Sequence, residues 1–199
     1  MTRQHRVTIV AIAAMAVIVT ASNVLVQVPF NDWLTWGAFT YPFAFLVTDL
    51  ANRLHGPVAA RRVVLAGFAL AVALSIWLAT PRIAIASGSA FLLAQMLDVA
   101  IFDRLRAGSW WRAPAVSSLA GSALDTALFF SLAFAPAFAF LGEDPAWAQE
   151  AVPLLGFGAP VAFWVSLALG DFLVKLALIA VALVPFRLVL GLAAPAPGR

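Results

Sequence analysis

The stretch VAFWVSLALGDFLVKLALIAVALVPFRLVL (residues 161–190) carries only three charged side chains. A run of about 20 apolar residues is long enough to cross the hydrocarbon core of a bilayer as a helix. Asp171 and Lys175 are spaced i, i+4, so they share one face of such a helix and can pair. The apolar segment around them, residues 153–190, is long for one span. It predicts either a tilted helix or a short outer segment followed by the span.

The whole chain has a composition that lipid must help to solvate. It is 64% hydrophobic and 11% charged, with a mean hydropathy of +1.00. Soluble domains are about half apolar and about a quarter charged. No cysteine is present, which excludes disulfides and thiolate metal sites. The two histidines, His5 and His55, lie in predicted loops, so we expect no metal site, no cofactor and no set of catalytic residues.

Six apolar segments predict an all-α, polytopic membrane protein with six transmembrane helices in one bundle. The first could be mistaken for a signal peptide, but its apolar run is long and it lacks a clear small-x-small cleavage site, so we expect a retained helix. We interpret residues 1–199 as a single domain. The segments are residues 7–26, 33–54, 63–78, 83–102, 115–140 and 153–190.

The arginines set the expected orientation. With both termini in the cytoplasm, the outer loops contain one basic residue, Arg82, and an acidic cluster around Glu143. All the other arginines fall in inner loops or at the cytoplasmic ends of the chain. This asymmetry follows the positive-inside rule. It predicts a multi-pass protein of a bacterial inner membrane, and it gives no sign of nucleic-acid binding because the arginines do not share one face.

Charged side chains inside predicted spans need a reason, because each costs about 2.5 to 3.5 kcal/mol even on insertion scales. The Asp171–Lys175 pair is explained equally well as an internal neutraliser and as a charge pair that binds solute or proton. Asp125 has no evident partner in sequence, which favours a binding role. The charged residues within spans are Asp49, Asp98, Asp125, Asp171 and Lys175.

Polar neighbours of these aspartates also share helix faces. Ser118, Gly121, Ser122 and Asp125 form one small, polar stripe, which suits either a binding site or a close helix contact. Gln95 and Asp98 share a face, as do Asp49 and Asn52. For both aspartates an ion pair with a nearby arginine competes with contact to a solute.

Pro42 lies in the middle of the second predicted span. Proline removes a backbone donor, so the helix should kink or break there. Broken helices commonly line solute sites because their ends offer backbone groups without partners. One or two of the aromatic residues around the break could stack on a flat solute; these residues are Trp36, Phe39, Tyr41, Phe43 and Phe45. Asn23, near the outer end of the first helix, suits either an interfacial hydrogen bond or a solute contact.

Several short sequence blocks occur in a set order along most of the chain. They are SNVLVQ (residues 22–27), TWGAF and PF (35–39 and 42–43), TDL (48–50), ARR (60–62), QMLDV (95–99), WW and AP (110–111 and 113–114), DT (125–126), and the final Asp171 and Lys175. Together, in this order, they resemble the queuosine precursor transporter family, also called the vitamin uptake transporter family.

The resemblance implies import of queuosine precursors, namely 7-cyano-7-deazaguanine (preQ0) and its aminomethyl analogue (preQ1), by alternating access. A carboxylate accepts two hydrogen bonds from the N–H and NH₂ groups of a guanine-like edge. We therefore expect a deazaguanine base as the small-molecule partner. The predicted substrate-binding residues are Asn23, Trp36, Phe39, Phe43, Asp49, Gln95, Asp98, Ser122, Asp125, Asp171 and Lys175.

Two rival functions remain open from sequence. The first is the substrate-binding membrane subunit of an energy-coupling vitamin uptake complex, which would need an ATPase partner. The second is an intramembrane enzyme, which the lack of a nucleophile–base constellation disfavours. We expect no enzyme activity. A six-helix protomer is a small scaffold, so we also expect a homodimer.

Overall fold

The chain folds almost entirely into helices. A computed structural model describes residues 3–25, 28–31, 34–143 and 145–193. Both chain ends, whose cytoplasmic location was predicted, therefore lie outside the described residues, as does the start of the second predicted segment at residue 33. The helices are α1 Arg3–Leu25, α2 Gly37–Thr40, α3 Phe43–His55, α4 Pro57–Leu78, α5 Pro81–Leu105, α6 Arg112–Phe134 and α7 Phe163–Ala193.

Short elements fill two of the connections. Strands β1 (Pro29–Asn31) and β2 (Leu34–Thr35) pair in antiparallel fashion between α1 and α2. Between α6 and α7, β3 (Ala151–Pro153) pairs with β4 (Pro160–Ala162). Three 3-10 turns complete this second connection: Pro136–Leu141, Ala146–Gln149 and Leu154–Gly156.

Five helices in the described residues are long and apolar enough to cross a membrane, namely α1, α4, α5, α6 and α7. The second predicted span is instead divided into α2 and α3 at Tyr41 and Pro42, as the position of the proline predicted. Pro42 cannot donate to the carbonyl of Ala38, and the next bonds are short-range ones, from Ala44 N to Tyr41 O at 2.9 Å and from Phe45 N to Pro42 O at 3.2 Å. A helix as short as α3 cannot cross a bilayer alone.

The last two predicted segments were placed too broadly. A single helix does not extend over residues 153–190, because the hairpin and turn precede α7. There Leu155 has φ of 50° and Gly156 has φ of 86°, which a helix does not accommodate. The alternative of a short segment followed by a helix is therefore correct. Likewise α6 ends at Phe134, not residue 140, and Pro136 begins a 3-10 turn.

Arg82 holds one end of the bundle together. Its side chain is 2% exposed, and its guanidinium donates to the carbonyls of Leu132 at 3.0 Å, Ala135 at 2.8 Å and Glu143 at 3.2 Å. The last carbonyls of a helix lack partners within the helix, so Arg82 caps the end of α6. We call this the Arg82 end. The opposite, Arg106 end contains the links from Arg53 to the carbonyl of Arg106 and from Arg106 to the carbonyl of Asn52.

Apolar side chains fix the helices around a central α5. Met15 and Val19 of α1 pack with Val63 and Val64 of α4 and with residues of α3 and α5. Toward the Arg82 end, aromatic residues of α6 pack against the turn that contains Ala148. At the Arg106 end, Phe102 and Phe186 join α5 to α7. Charged and polar groups are left in two separate places between these clusters.

Candidate functional site

A cavity of about 410 Å³ opens between α1, α2, α5, α6 and α7. Small-molecule sites typically have volumes of about 300 to 1,000 Å³, with mostly apolar walls and a few polar groups that converge on the ligand. The cavity fits that description. It is lined by Ser22, Asn23, Leu34, Gly37, Ala38, Tyr41, Ser87, Ala90, Asp125, Phe129, Phe130, Phe134, Trp147, Leu167, Asp171 and Lys175.

Lys175 is the centre of the polar wall. Its Nζ lies 2.7 Å from Asp125 Oδ2, 2.5 Å from Asp171 Oδ2 and 2.9 Å from Thr126 Oγ1. The Tyr41 hydroxyl donates to Asp125 Oδ1 at 3.0 Å, and Thr126 Oγ1 donates to Asp171 Oδ2 at 2.7 Å. We call these five residues the Lys175 cluster. With every acid and base ionised, it has one more negative than positive charge, so it favours a ligand that brings hydrogen-bond donors.

The two aspartates of the cluster differ in exposure to the cavity. The side chain of Lys175 is 4% exposed and that of Asp125 is 6% exposed, whereas that of Asp171 is 16% exposed. Both oxygens of Asp125 accept bonds from Tyr41 and Lys175, while the bonds to Asp171 converge on Oδ2. Asp171 is therefore the carboxylate best placed to accept further donors from a ligand.

The sequence predicted part of this cluster correctly. Asp171 and Lys175 pair, as their i, i+4 spacing indicated. The expectation that Asp125 has no partner was wrong, because Lys175 reaches it from α7 and Tyr41 reaches it from the break between α2 and α3. Sequence reasoning did not select Thr126, and it named Tyr41 only among the aromatic residues around the helix break. The signal for Tyr41 was its position next to Pro42, where a helix break turns a side chain toward a site.

The polar stripe on α6 combines a close helix contact with a residue that lines the cavity. Asp125, at one end of the stripe, lines the cavity. Gly121 makes a close helix contact, since a Cβ there would lie 2.6 Å from Phe45 Cε1 and 3.2 Å from the carbonyl oxygen of Ala94. Ser118, at the other end of the stripe, donates to Asp49 Oδ2 at 3.1 Å.

Aromatic side chains line the cavity mainly from α6, together with Tyr41 at the helix break and Trp147 in the connection to α7. Phe129, Phe130 and Phe134 pack edge to face or tilted, and Trp147 lies 5.3 Å from Phe134 between ring centroids. Trp36 and Phe39, predicted as candidate stacking residues, instead pack with Phe30, and neither lines the cavity. Phe43 also lies outside the lining.

Asn23 is the remaining predicted residue in the cavity wall. It lies on α1, and its Nδ2 donates to the carbonyl of Val19 at 2.8 Å. Nearby, the hydroxyls of Ser22 and Thr40 are 2.9 Å apart, which joins α1 to the short helix α2. This bond joins α2 to α1, on which α3 also packs.

A second polar region lies closer to the Arg106 end. Asp49 accepts hydrogen bonds from Ser117 at 3.2 Å and from Ser118 at 3.1 Å, and the carboxyl group of Asp98 lies beside that of Asp49. Both aspartates are buried, at 2% and 0% exposed. Neither forms the arginine ion pair that the sequence allowed, within the described residues. This Asp49–Asp98 pair is separate from the 410 Å³ cavity.

Gln95 and Ser122 belong to this second region as well. Gln95 is fully buried, and its Oε1 accepts from Thr48 Oγ1 at 2.7 Å. Ser122 lines a separate cavity of about 20 Å³ with Asp49 and Ser118. The eleven predicted residues thus divide into four in the large cavity, four around the carboxyl pair, and three aromatic residues outside both. In the part of the chain that the structure describes, no group of three or more metal-ligating acids and histidines occurs.

The apolar helices are those of a multi-pass membrane protein, and the charged cavity between them is large enough for a small molecule. A family profile described as "Putative vitamin uptake transporter" matches residues 35–80 and 73–190. The chain therefore belongs to the vitamin uptake transporter family, as the sequence blocks predicted.

Two curated relatives carry a more particular name. The "Queuosine precursor transporter" of Escherichia coli (strain K12) is 40% identical over 141 residues, which are 59% of this chain and 64% of that protein. The "Probable queuosine precursor transporter" of Haemophilus influenzae is 34% identical over 195 residues, covering 80% of this chain and 75% of that protein. No solved structure matches the chain.

Proposed function

We propose that this protein imports queuosine precursors, 7-cyano-7-deazaguanine (preQ0) and its aminomethyl analogue (preQ1), across the bacterial inner membrane by alternating access. The single observation that carries the proposal is the 410 Å³ cavity in which the Lys175 cluster lies with the phenylalanines of α6. A flat, polar base needs a polar wall for hydrogen bonds and an aromatic wall for stacking. The names of the two curated relatives support the choice of substrate.

The cluster supplies acceptors that match a guanine-like edge. Asp171 accepts the ring N–H and exocyclic NH₂ of the base, because a carboxylate can receive two parallel hydrogen bonds. Lys175 stays bound to Asp125 and, by releasing Asp171, donates to the carbonyl oxygen on the same edge of the base. The base lies against Phe129 and Phe130. The carbonyl of Ala38 is a further acceptor, because Pro42 has no N–H group to donate to it.

The divided helix provides the moving part. We infer that α2 and α3 together form the sixth crossing, since residues 37–55 would rise about 28 Å if they were helical throughout. Tyr41 lies at the break and binds Asp125 in the cavity. Alternating access then consists of α2, bonded to α1, and α3, packed on α5, changing their angle at Pro42. The whole chain acts as one transport domain in a homodimer, with both termini cytoplasmic and no enzymatic step.

Uptake by purified protein in sealed proteoliposomes tests this function. We expect labelled preQ0 to enter vesicles that contain this protein alone, with competition by preQ1 and guanine but not by adenine. Asp171→Asn and Asp125→Asn should abolish binding while the protein remains monodisperse. Asp103→Asn is the matched control, because Asp103 is partly exposed and pairs only with Arg106.

Three results would contradict the proposal. Unchanged affinity in Asp125→Asn and Asp171→Asn would make both aspartates structural. Binding without uptake, restored by an added ATPase complex, would favour the energy-coupling subunit. Absence of preQ0 binding by the intact protein would refute the substrate.

A further inference from the structure

We propose that the Asp49–Asp98 pair is a proton-carrying site, which takes up one proton and couples its movement to solute transport. The inference rests on the proposed transport function and adds its driving ion. It concerns residues that do not line the 410 Å³ cavity and therefore are not explained by solute contact.

Two hydrogen bonds between α3 and α5 place the carboxyl groups together. Thr48 Oγ1 donates to Gln95 Oε1 at 2.7 Å, and Asn52 Nδ2 donates to the carbonyl of Val99 at 3.0 Å. Asp49 and Asp98 lie on their helices between these two contacts, so their side chains meet in the interface. Both are nearly or fully buried.

The two carboxyl groups of the pair have more acceptor oxygens than hydrogen-bond donors around them. Asp49 receives Ser117 and Ser118, one on each oxygen. Both oxygens of Asp98 are buried without a hydrogen-bond donor among the described residues. A buried acceptor with no donor is destabilising, and more so when it is charged. A proton on one carboxyl group turns it into a donor to the other, which leaves one fewer oxygen of the pair without a hydrogen bond.

Electrostatics also favour one proton on the pair. Two carboxylates in contact repel each other strongly in a dry site, so the pair holds one proton while it is closed to water, as in other carboxyl dyads that share one proton. No cation contacts the pair within the described part of the chain. The other charged or titratable side chains on the helices packed against the pair either bind other groups or lie away from it. They are Arg53 and His55 on α3, Arg61 and Arg62 on α4, Arg82, Asp103 and Arg104 on α5, Arg112 and Asp125 on α6, and Asp171, Lys175 and Arg187 on α7.

The pair and the solute cavity are separate, but residues of α5 and α6 contribute to both. The small cavity beside Asp49 measures about 20 Å³, enough for one water molecule, and is lined by the buried Ser122 hydroxyl, which has no partner among the described residues. Ser122 lies one helical turn from Asp125, which lines the large cavity. Asp49 lies on α3, which follows the break at Tyr41 and Pro42. A change in the contacts of Asp49 with α5 and α6 would therefore act on this break.

The chemical step is a simple proton exchange. On uptake, an O–H bond forms at one oxygen of the pair and the formal charge of the pair changes from −2 to −1. On release to the other side of the membrane, that bond breaks and the proton leaves as hydronium. No other bond changes, and no further reactant is needed.

Infrared spectroscopy of the purified protein in lipid nanodiscs tests the proton directly and needs no solute. We expect the carbonyl stretch of a buried, protonated carboxyl group in the native protein and in Asp103→Asn. The band should disappear in the Asp49→Asn, Asp98→Asn double variant, whose amides keep the size of the carboxyl groups. Absence of the band in the native protein, or its persistence in the double variant, would overturn the proposal.

Proteoliposomes test the coupling. With the membrane potential clamped, one proton carried with each solute molecule raises the limiting accumulation of preQ0 about tenfold per unit of pH gradient, acid outside. Asp98→Asn, in which an amide donor takes the place of the protonated acid, should lose accumulation but keep exchange of solute between equal pH values.

Two outcomes would refute coupling through this pair. One is accumulation driven by a sodium gradient and not by a pH gradient. The other is a normal response to the pH gradient in Asp98→Asn. Failure of the proposed substrate would instead appear as absence of preQ0 binding in the native protein, with the infrared band unaffected.

Discussion

The Lys175 cluster and the Asp49–Asp98 pair are both buried acidic sites between helices, yet their surroundings differ in kind. The first contains a lysine that contacts two aspartates, and it faces a cavity large enough for a small organic molecule. The second has serine hydroxyls, no contacting cation among the described residues and a cavity the size of one water molecule.

Acidic groups buried between these helices are thus accommodated in two different ways, with a contacting lysine in one region and without one in the other. A lysine offsets part of the negative charge of the cluster. The carboxyl pair has no contacting cation among the described residues, and the proposal above gives it a proton instead. Under the two proposals, solute contact belongs to the first region and proton exchange to the second.

The largest effect should come from removing the shared cation. In Lys175→Met, Asp125 and Asp171 would face each other without a counter-charge, and breaking a buried ion pair costs about 3 to 5 kcal/mol. We expect loss of most monodisperse protein, measured by fluorescence-detected size-exclusion chromatography.

The compensating variant sharpens this test. Because Lys175 serves two aspartates, removing Asp171 with it still leaves Asp125 without its cation. The triple variant Asp125→Asn, Asp171→Asn, Lys175→Met should recover the folded protein but not preQ0 uptake. Recovery of native uptake in the triple variant would reduce the cluster to a structural neutraliser.

A smaller effect is expected at Gly121, the close contact between the two regions on α6. A Cβ there would approach the backbone oxygen of Ala94, which cannot move aside. Overpacking of this kind costs about 1 to 3 kcal/mol, so Gly121→Ala should lower the melting temperature. Gly88→Ala is the matched control, because its Cβ would meet only Phe68 at 3.4 Å and alanine favours helices. Equal melting temperatures for the two variants would argue against a tight contact at Gly121.

Tyr41→Phe should act only on the Lys175 cluster. It removes the donor to Asp125 Oδ1 and leaves the aromatic ring in place. A single hydrogen bond of this kind contributes about 1 kcal/mol, so we expect a severalfold weaker affinity for preQ0 in titration calorimetry and nearly native expression. The infrared band of the Asp49–Asp98 pair should not change. A change in that band would join the two regions into one site.

The smallest energetic effect is expected from single cysteines that locate the two regions across the membrane. The chain contains no cysteine, so Glu143→Cys and Asp103→Cys are each the only reactive thiol. Glu143 lies at the Arg82 end, where its backbone carbonyl rather than its side chain binds Arg82. We expect Glu143→Cys to react with an impermeant maleimide on intact cells and Asp103→Cys to react only after permeabilisation. The reverse pattern would invert the proposed topology.

Much of this architecture could be predicted from local sequence. Periodicity and length gave five of the spans, proline gave the break at residue 42, and i, i+4 spacing gave the Asp171–Lys175 pair. The start of α7 was missed because residues 153–162 are apolar enough to resemble a span. Their conformation is decided by prolines and glycines and by Leu155, whose positive φ no apolar pattern encodes.

The amino-acid sequence alone predicted that the chain spans a membrane. It also identified the helices with buried charge, because a charged residue within an apolar span is costly and therefore easy to recognise. Which charged groups contact one another became clear only from the tertiary structure. Asp125 and Lys175 lie on different helices, as do Asp49 and Asp98, and contacts between helices depend on packing angles and register that no spacing along one helix reveals. Packing alone therefore separated the predicted polar residues into a cavity with a shared lysine and a closed carboxyl pair.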